Sequence, residues 1–219
     1  PAYLQSYILG FGMAMLAMQK GMLAIHCSAV SDEKGAVLIA GESGAGKSTV
    51  TTAFLEKGYH LMADDMAFVE IGAEKKAFAK PAFPYQKLCR NVATEKGHDL
   101  DELIYINEEK DKFLVPYEGE FFLGDVPIKA FVMLGVNDTE KVVAKEMTGF
   151  NRVPIYTNNL FLRHLLKRDK YNPAIAQKCV EMAAAVPTFY VARPKEGDTV
   201  SEVVKKVLEF VENGGDANV

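Results

Sequence analysis

Residue types able to handle phosphate lie close together in the first quarter of the chain. Gly41, Gly46, Lys47 and Ser48 stand at the spacing G-x-x-x-x-G-K-[ST] within GESGAGKST. Glycines let a backbone curl with its N–H groups pointing inward, and a following helix adds its positive dipole end. Such a loop would make Gly41, Glu42, Ser43, Gly44, Ala45, Gly46, Lys47, Ser48 and Thr49 the nucleotide-holding segment. Lys47 would reach the β- and γ-phosphates, and the Ser48 hydroxyl would bind Mg²⁺. A chain of this length produces the bare pattern by chance roughly once in a hundred times, so the flanking context has to decide.

Asp64 and Asp65 come next, closely following the loop. One carboxylate there can hold the magnesium ion that bridges phosphates, while the other orients or deprotonates an attacking hydroxyl. The competing reading is a solvated turn, since aspartate is common at strand ends. His26 is the third candidate. A lone histidine on an apolar strand is more often a satisfied core residue than a catalyst. His60, His98 and His164 have no partners at a ligating spacing, so no metal cluster is expected from them.

The elements needed to position these groups can be read from the pattern. Val37-Leu38-Ile39-Ala40 is an apolar run leading straight into the loop, and a helix is expected from about Gly46 to Lys57 with Gly58 as its stop. A strand over Met22–Ala29 carries His26, and a polar turn at Ser31–Gly35 leads to a second strand, Ala36–Ala40. Another strand, Tyr59–Ala63, ends in Asp64-Asp65, with a continuation to Ile71 as the alternative. In open α/β sheets the carboxyl ends of strands face the ligand crevice. The middle third reads as β-rich: Phe68–Ile71 with Lys76–Ala79, Leu103–Ile106 with Lys112–Val115 across a turn at Asn107–Asp111, and Ala130–Leu134. Thr188–Val191 is a short strand, and Val200, Val203, Val204, Val207, Leu208 and Val211 mark an amphipathic helix. The fold class is therefore α/β, a mixed sheet with a helical C-terminal third. One catalytic domain over residues 1–213 and a disordered tail at 214–219 are expected.

Composition removes several function classes. With 219 residues, a net charge of −4 and a pI near 5.7, the chain has no electrostatic footprint for nucleic acid. Cys27, Cys89 and Cys179 lie far apart with no C-x-x-C pair, which reads as reduced thiols in a cytoplasmic protein. Tyr7–Met18 is strongly apolar but shorter than the roughly 20 residues that span a bilayer. It has no basic residue before it, so a buried helix is expected and a membrane segment is not. Proline as the first residue reads as a fragment or a processed chain.

Three blocks resemble the catalytic domain of the HPr kinase/phosphorylases, within the phosphoenolpyruvate-carboxykinase-like P-loop group. They are the histidine strand IHCSAV, the loop GESGAGKST with GYHLMADDMAFVEI, and the late strand VPTFYVARP before a terminal helix. The resemblance implies that Lys47 binds phosphate, that Ser48 and Asp65 bind magnesium, that Asp64 is the general base, and that His26 lies near the reacting phosphate. Arg193 falls where the family has an Arg-Pro. The chain departs from the family after the Asp-Asp strand. There AFAKPAFPYQKLCRNVATE lacks the glycine- and arginine-rich signature of the dephosphorylating reaction, and Arg90 is its one arginine. The family's separate N-terminal domain has no counterpart in this chain either. It is more similar to short stand-alone forms, some of which phosphorylate a serine of a precursor peptide.

The leading reading is thus an ATP- and Mg²⁺-dependent kinase acting on a hydroxyl, most readily a serine in a protein or peptide. The alternatives are a catalytically silent nucleotide-binding regulatory module and a small-molecule kinase. The resemblance allows for a homo-oligomer. The cleft opposite the phosphates is expected from the β-rich middle and the segment around Thr148–Asn159.

Overall fold

A computed structural model of the chain describes residues 4, 7–106, 111–138, 140–163 and 173–212. Twelve strands are present among them: β1 (Leu23–Ile25), β2 (Ser28–Asp32), β3 (Gly35–Gly41), β4 (His60–Ala63), β5 (Ala67–Ile71), β6 (Ala77–Lys80), β7 (Tyr85–Cys89), β8 (Ile104–Ile106), β9 (Lys112–Pro116), β10 (Val126–Asn137), β11 (Val143–Met147) and β12 (Thr188–Pro194). The helices are α1 (Met13–Gln19), α2 (Lys47–Leu55), α3 (Arg90–Glu95), α4 (Val153–Asn158), α5 (Pro173–Ala185) and α6 (Val200–Glu212).

Nine strands form one mixed sheet, in which β1-β5-β6-β10-β3-β2-β4 are successive neighbours and β12 and β11 continue from β10. The long strand β10 accepts three partners. It is parallel to β3 on one side, and on the other it meets β6 at its start and β12 over its second half. β2 is antiparallel to both β3 and β4. Consequently β3, β4, β10 and β12 all run the same way and end along one edge, the edge where β2 begins. A separate three-stranded antiparallel sheet has the order β7-β9-β8.

Strand β3 is buried over its whole length. Alternation sends Leu38 and Ala40 to one face and Val37 and Ile39 to the other. The first face packs against Tyr156 of α4 and Cys179 and Met182 of α5. The second packs against Val50 and Phe54 of α2 and Val203, Val204 and Val207 of α6. A strand covered on both faces must be apolar throughout, which is why Val37–Ala40 carries no polar residue. In α6 the expected valine stripe is the buried one, joined by Phe210, whose ring stacks on Phe189 of β12 at 4.2 Å.

Three expectations are corrected. The strand read over Met22–Ala29 is broken by a bend at His26 and Cys27 into β1 and β2, which pair with different neighbours. The strand read over Tyr59–Ala63 ends at Asp64-Asp65, but the alternative continuation to Ile71 does not occur: β5 leaves to pair with β1 and β6. The apolar Tyr7–Met18 segment is helical but not buried: a π turn at Ile8–Gly12 leads into α1, where Ala14 and Ala17 are the buried residues. Tyr7, Ile8, Phe11, Met15 and Leu16 are exposed. No helix among the described residues is long and apolar enough to cross a membrane. The turn within 107–110, His164 and the tail from residue 213 lie outside the described residues.

Candidate active site

The loop expected to hold phosphate leaves the end of β3 and enters α2. Gly46 is the residue before the helix, in left-handed backbone (φ 101°), and no side chain caps the helix start. The first-turn N–H groups are therefore left to an external acceptor. Gly41 at the other end also has positive φ (155°), and a Cβ there would stand 2.8 Å from the Leu134 carbonyl oxygen of β10. The loop is drawn tightly onto the neighbouring strand, and a glycine is required. Lys47 turns back over it, donating from Nζ to the Gly41 carbonyl at 2.7 Å.

Arg193, on the parallel strand β12, braces the loop from the far side. Its Nε donates to the Ala45 carbonyl at 3.2 Å and its Nη2 to the Gly44 carbonyl at 3.1 Å. Glu42, Ser43, Gly44, Gly46, Lys47, Ser48 and Thr49 line a cleft of about 380 Å³ together with Lys87, Lys112 and Arg193. Four cationic side chains thus face one space against a single carboxylate, that of Glu42, which suits a polyanion.

Asp64 and Asp65 sit at the break between β4 and β5, at the same sheet edge. The Asp64 backbone carbonyl accepts the Ser28 hydroxyl at 2.7 Å, and its Oδ2 accepts the Lys87 backbone N–H at 2.8 Å. Its other oxygen, Oδ1, is buried with no hydrogen-bond partner. Burial pushes the Asp64 carboxyl up to about 6, reinforced by Asp65 and opposed by the Lys87 amide. Asp65 has the opposite balance. Burial pushes it up, but Lys87 Nζ at 3.1 Å and His26 Nδ1 at 3.7 Å more than offset that and hold it below the usual carboxylate range. Two neighbouring carboxylates are thereby made different, one poised to take a proton and one kept ionised.

His26 reaches Asp65 because the bend after β1 turns it out of the sheet; its backbone N–H is held by the Asn159 carbonyl at 2.7 Å. Burial lowers its pKa against the pull of Asp65. Lys47 is lowered too, by burial first, with Asp65 and Asp64 opposing. Cys27, directly after His26, is fully buried, and burial pushes its thiol up to about 12.

All the residues predicted from the sequence therefore gather at one edge. Two that the sequence reading missed complete the site: Lys87 on β7 and Lys112 on β9. Lys112 stands opposite Cys89, and Lys87 opposite Leu114, in the small sheet's antiparallel register. Lys87 lines both the cationic cleft and a second cavity of about 70 Å³ that also holds Asp64 and Asp65. That second cavity is lined by the β-rich middle, as expected, through Ala82, Phe83, Tyr85, Lys87 and Leu114, and otherwise by Leu9, Gly10 and Phe161 in place of the Thr148–Asn159 segment.

No family model matches the chain, and no curated protein does. Among solved structures, the chain is similar to the Hpr(Ser) kinase/phosphatase from Coxiella burnetii, with 11% identity over 87% of this chain and 97% of that one and a TM-score of 0.45.

Proposed function

We propose that this protein is a kinase that moves the γ-phosphate of ATP to a hydroxyl group, most readily a serine of a protein or peptide. One observation carries the reading. A glycine loop with four cations around it opens beside a carboxylate whose Oδ1 is buried and unpartnered, and Lys87 lines both spaces. A protein that only holds a nucleotide needs the loop but has no use for the second carboxylate chamber.

The roles follow from position. The α2 N-terminus and Lys47 bind the phosphates, and Arg193 fixes the loop that presents them. Ser48 and Asp65 supply hard oxygen donors of the kind magnesium takes, and an ion held there would neutralise charge on the phosphates. Asp64, with a pKa of about 6, is mainly ionised at neutral pH yet basic enough to accept a proton. In the reaction the acceptor oxygen bonds to the γ-phosphorus. The bond to the bridging oxygen breaks with its electron pair leaving on ADP, and the acceptor proton passes to Asp64. Lys87 holds Asp65 in place and ionised, and His26 stands against it.

The test is transfer from labelled ATP with Mg²⁺ to serine-containing peptides, with Asp64→Asn alongside. Loss of the base lowers turnover by about 10²–10⁴-fold, while ATP affinity stays within a factor of a few. An Asp64→Asn protein with near wild-type turnover would remove Asp64 from the chemistry.

A further inference from the structure

The cavity on the carboxylate side of Lys87 has walls that a phosphate would not use. Leu9, Met66, Ala82, Phe83, Leu114 and Phe161 line it, and Asp64, Asp65, Lys87 and Tyr85 form its polar end, with Lys87 Nζ 3.1 Å from Asp65. One water needs roughly 10–15 Å³ of such space, so about 70 Å³ accommodates a group of several heavy atoms, the size of one apolar side chain. The apolar surface does not stop at the cavity. Phe161 in its wall packs on Phe11 with ring centroids 5.8 Å apart, and Phe11 stacks on Tyr7 at 5.6 Å. Phe11 is 43% exposed, and Tyr7, Ile8 and Leu4 are exposed beside it in sequence.

A recess one side chain deep, continued by an exposed apolar strip, fits an extended chain better than a compact metabolite. An acidic neighbour would meet two carboxylates in the recess, where the Lys87 ammonium is already paired with Asp65, and a glycine would leave it unfilled. Resting on the kinase reading, we infer that the acceptor is a peptide segment whose reacting hydroxyl is flanked by an apolar residue. That residue is seated in the cavity beside Asp64, and further apolar residues run over Phe161, Phe11 and Tyr7. The seated side chain fixes the hydroxyl next to the base, so the recognition acts on kcat/KM.

The test uses peptides identical except beside the serine, where leucine, glycine or aspartate stands. Phosphate transfer and, separately, equilibrium binding of the fluorescently labelled peptides are measured on the full chain. The leucine peptide should exceed the glycine peptide by about tenfold or more in kcat/KM, as burial of one aliphatic side chain allows, and the aspartate peptide should be the poorest. Ala82→Leu, which fills the cavity, should bring the leucine-to-glycine ratio to near one. Phe11→Ser, at an exposed position, tests the strip independently of any folding defect in the first variant. It should raise KM for the leucine peptide more than it lowers kcat. Transfer with no preference, or with preference for aspartate, overturns the inference and leaves the kinase reading standing. Binding of the leucine peptide that Ala82→Leu abolishes, without transfer to any peptide, keeps the apolar site and overturns the kinase reading. Neither transfer nor binding overturns both.

Discussion

Asp64, the base we propose, burdens the fold that holds it. Its carboxyl keeps a proton in the folded state up to about pH 6, against an ordinary value of 3.8. Between those values the folded form binds the proton that the unfolded form has released. The contribution of this group to stability therefore falls as pH rises through that window, and stays low above it. Asp64→Asn should be more stable than wild type at pH 7–8, by up to about 3 kcal/mol for a two-unit shift, and the difference should vanish below about pH 4. Thermal melts of both proteins across pH measure this directly. A mutation that lowers turnover and raises the melting temperature separates a catalytic carboxylate from a structural one. At this scale the sequence was informative where chemistry is local. Gly41–Thr49 is contiguous, and Asp64-Asp65 declares itself as a pair. Lys87 and Lys112 were not legible, because their role depends on where the small β7-β9-β8 sheet docks, and nothing in YQKLC or DKFLV encodes that.

At the scale of elements, the interruptions position the site as much as the strands do. The bend after β1 brings His26 to Asp65, and the break after β4 places Asp64 under the Lys87 amide. The first interruption was read from the sequence as a continuous strand, and at the second a continuation past Asp64-Asp65 was left open, because apolar residues run through on either side: LAIHCSAV and HLMADDMAFV. Periodicity registers hydrophobic burial and is blind to a change of pairing partner. The N-terminal segment misled for a related reason. Its composition matches a buried helix, yet the buried face is confined to two alanines. The helix α2 was legible in full, since its start is fixed by glycine and its end by Gly58, which also has positive φ (87°). Gly46→Ala tests the start. With φ at 101°, alanine costs about 1–2 kcal/mol, and the strained loop should lose ATP affinity by about tenfold or more, readable by titration calorimetry.

Over the whole molecule, the proposed phosphate cleft is a product of distant segments: the loop after β3, strands β7 and β9 of the small sheet, and the end of β12. Arg193 comes latest in the chain, and its two hydrogen bonds to the loop brace the cleft from β12. ATP at about 100 times its Kd should stabilise the wild type by roughly 2.7 kcal/mol through mass action. Arg193→Ala, measured at the same ATP concentration, should retain less than about half of that while unfolding cooperatively on its own. An unchanged ATP-induced shift in melting temperature would show that the loop holds its shape without the brace.

The distance along the chain between Arg193 and Gly44 also has a temporal meaning. The two are separated by 149 residues, and at about 5–20 residues per second synthesis takes roughly 7–30 seconds to pass from one to the other. Until residues 126–137 are made β3 has emerged without β10, and throughout the interval it lacks β12; its all-apolar segment is the kind that ribosome-associated chaperones cover. The nascent chain would acquire nucleotide affinity late and abruptly, only when β12 can pair. Stalled chains released after residue 137 should therefore be inert towards ATP, despite containing every residue of the glycine loop.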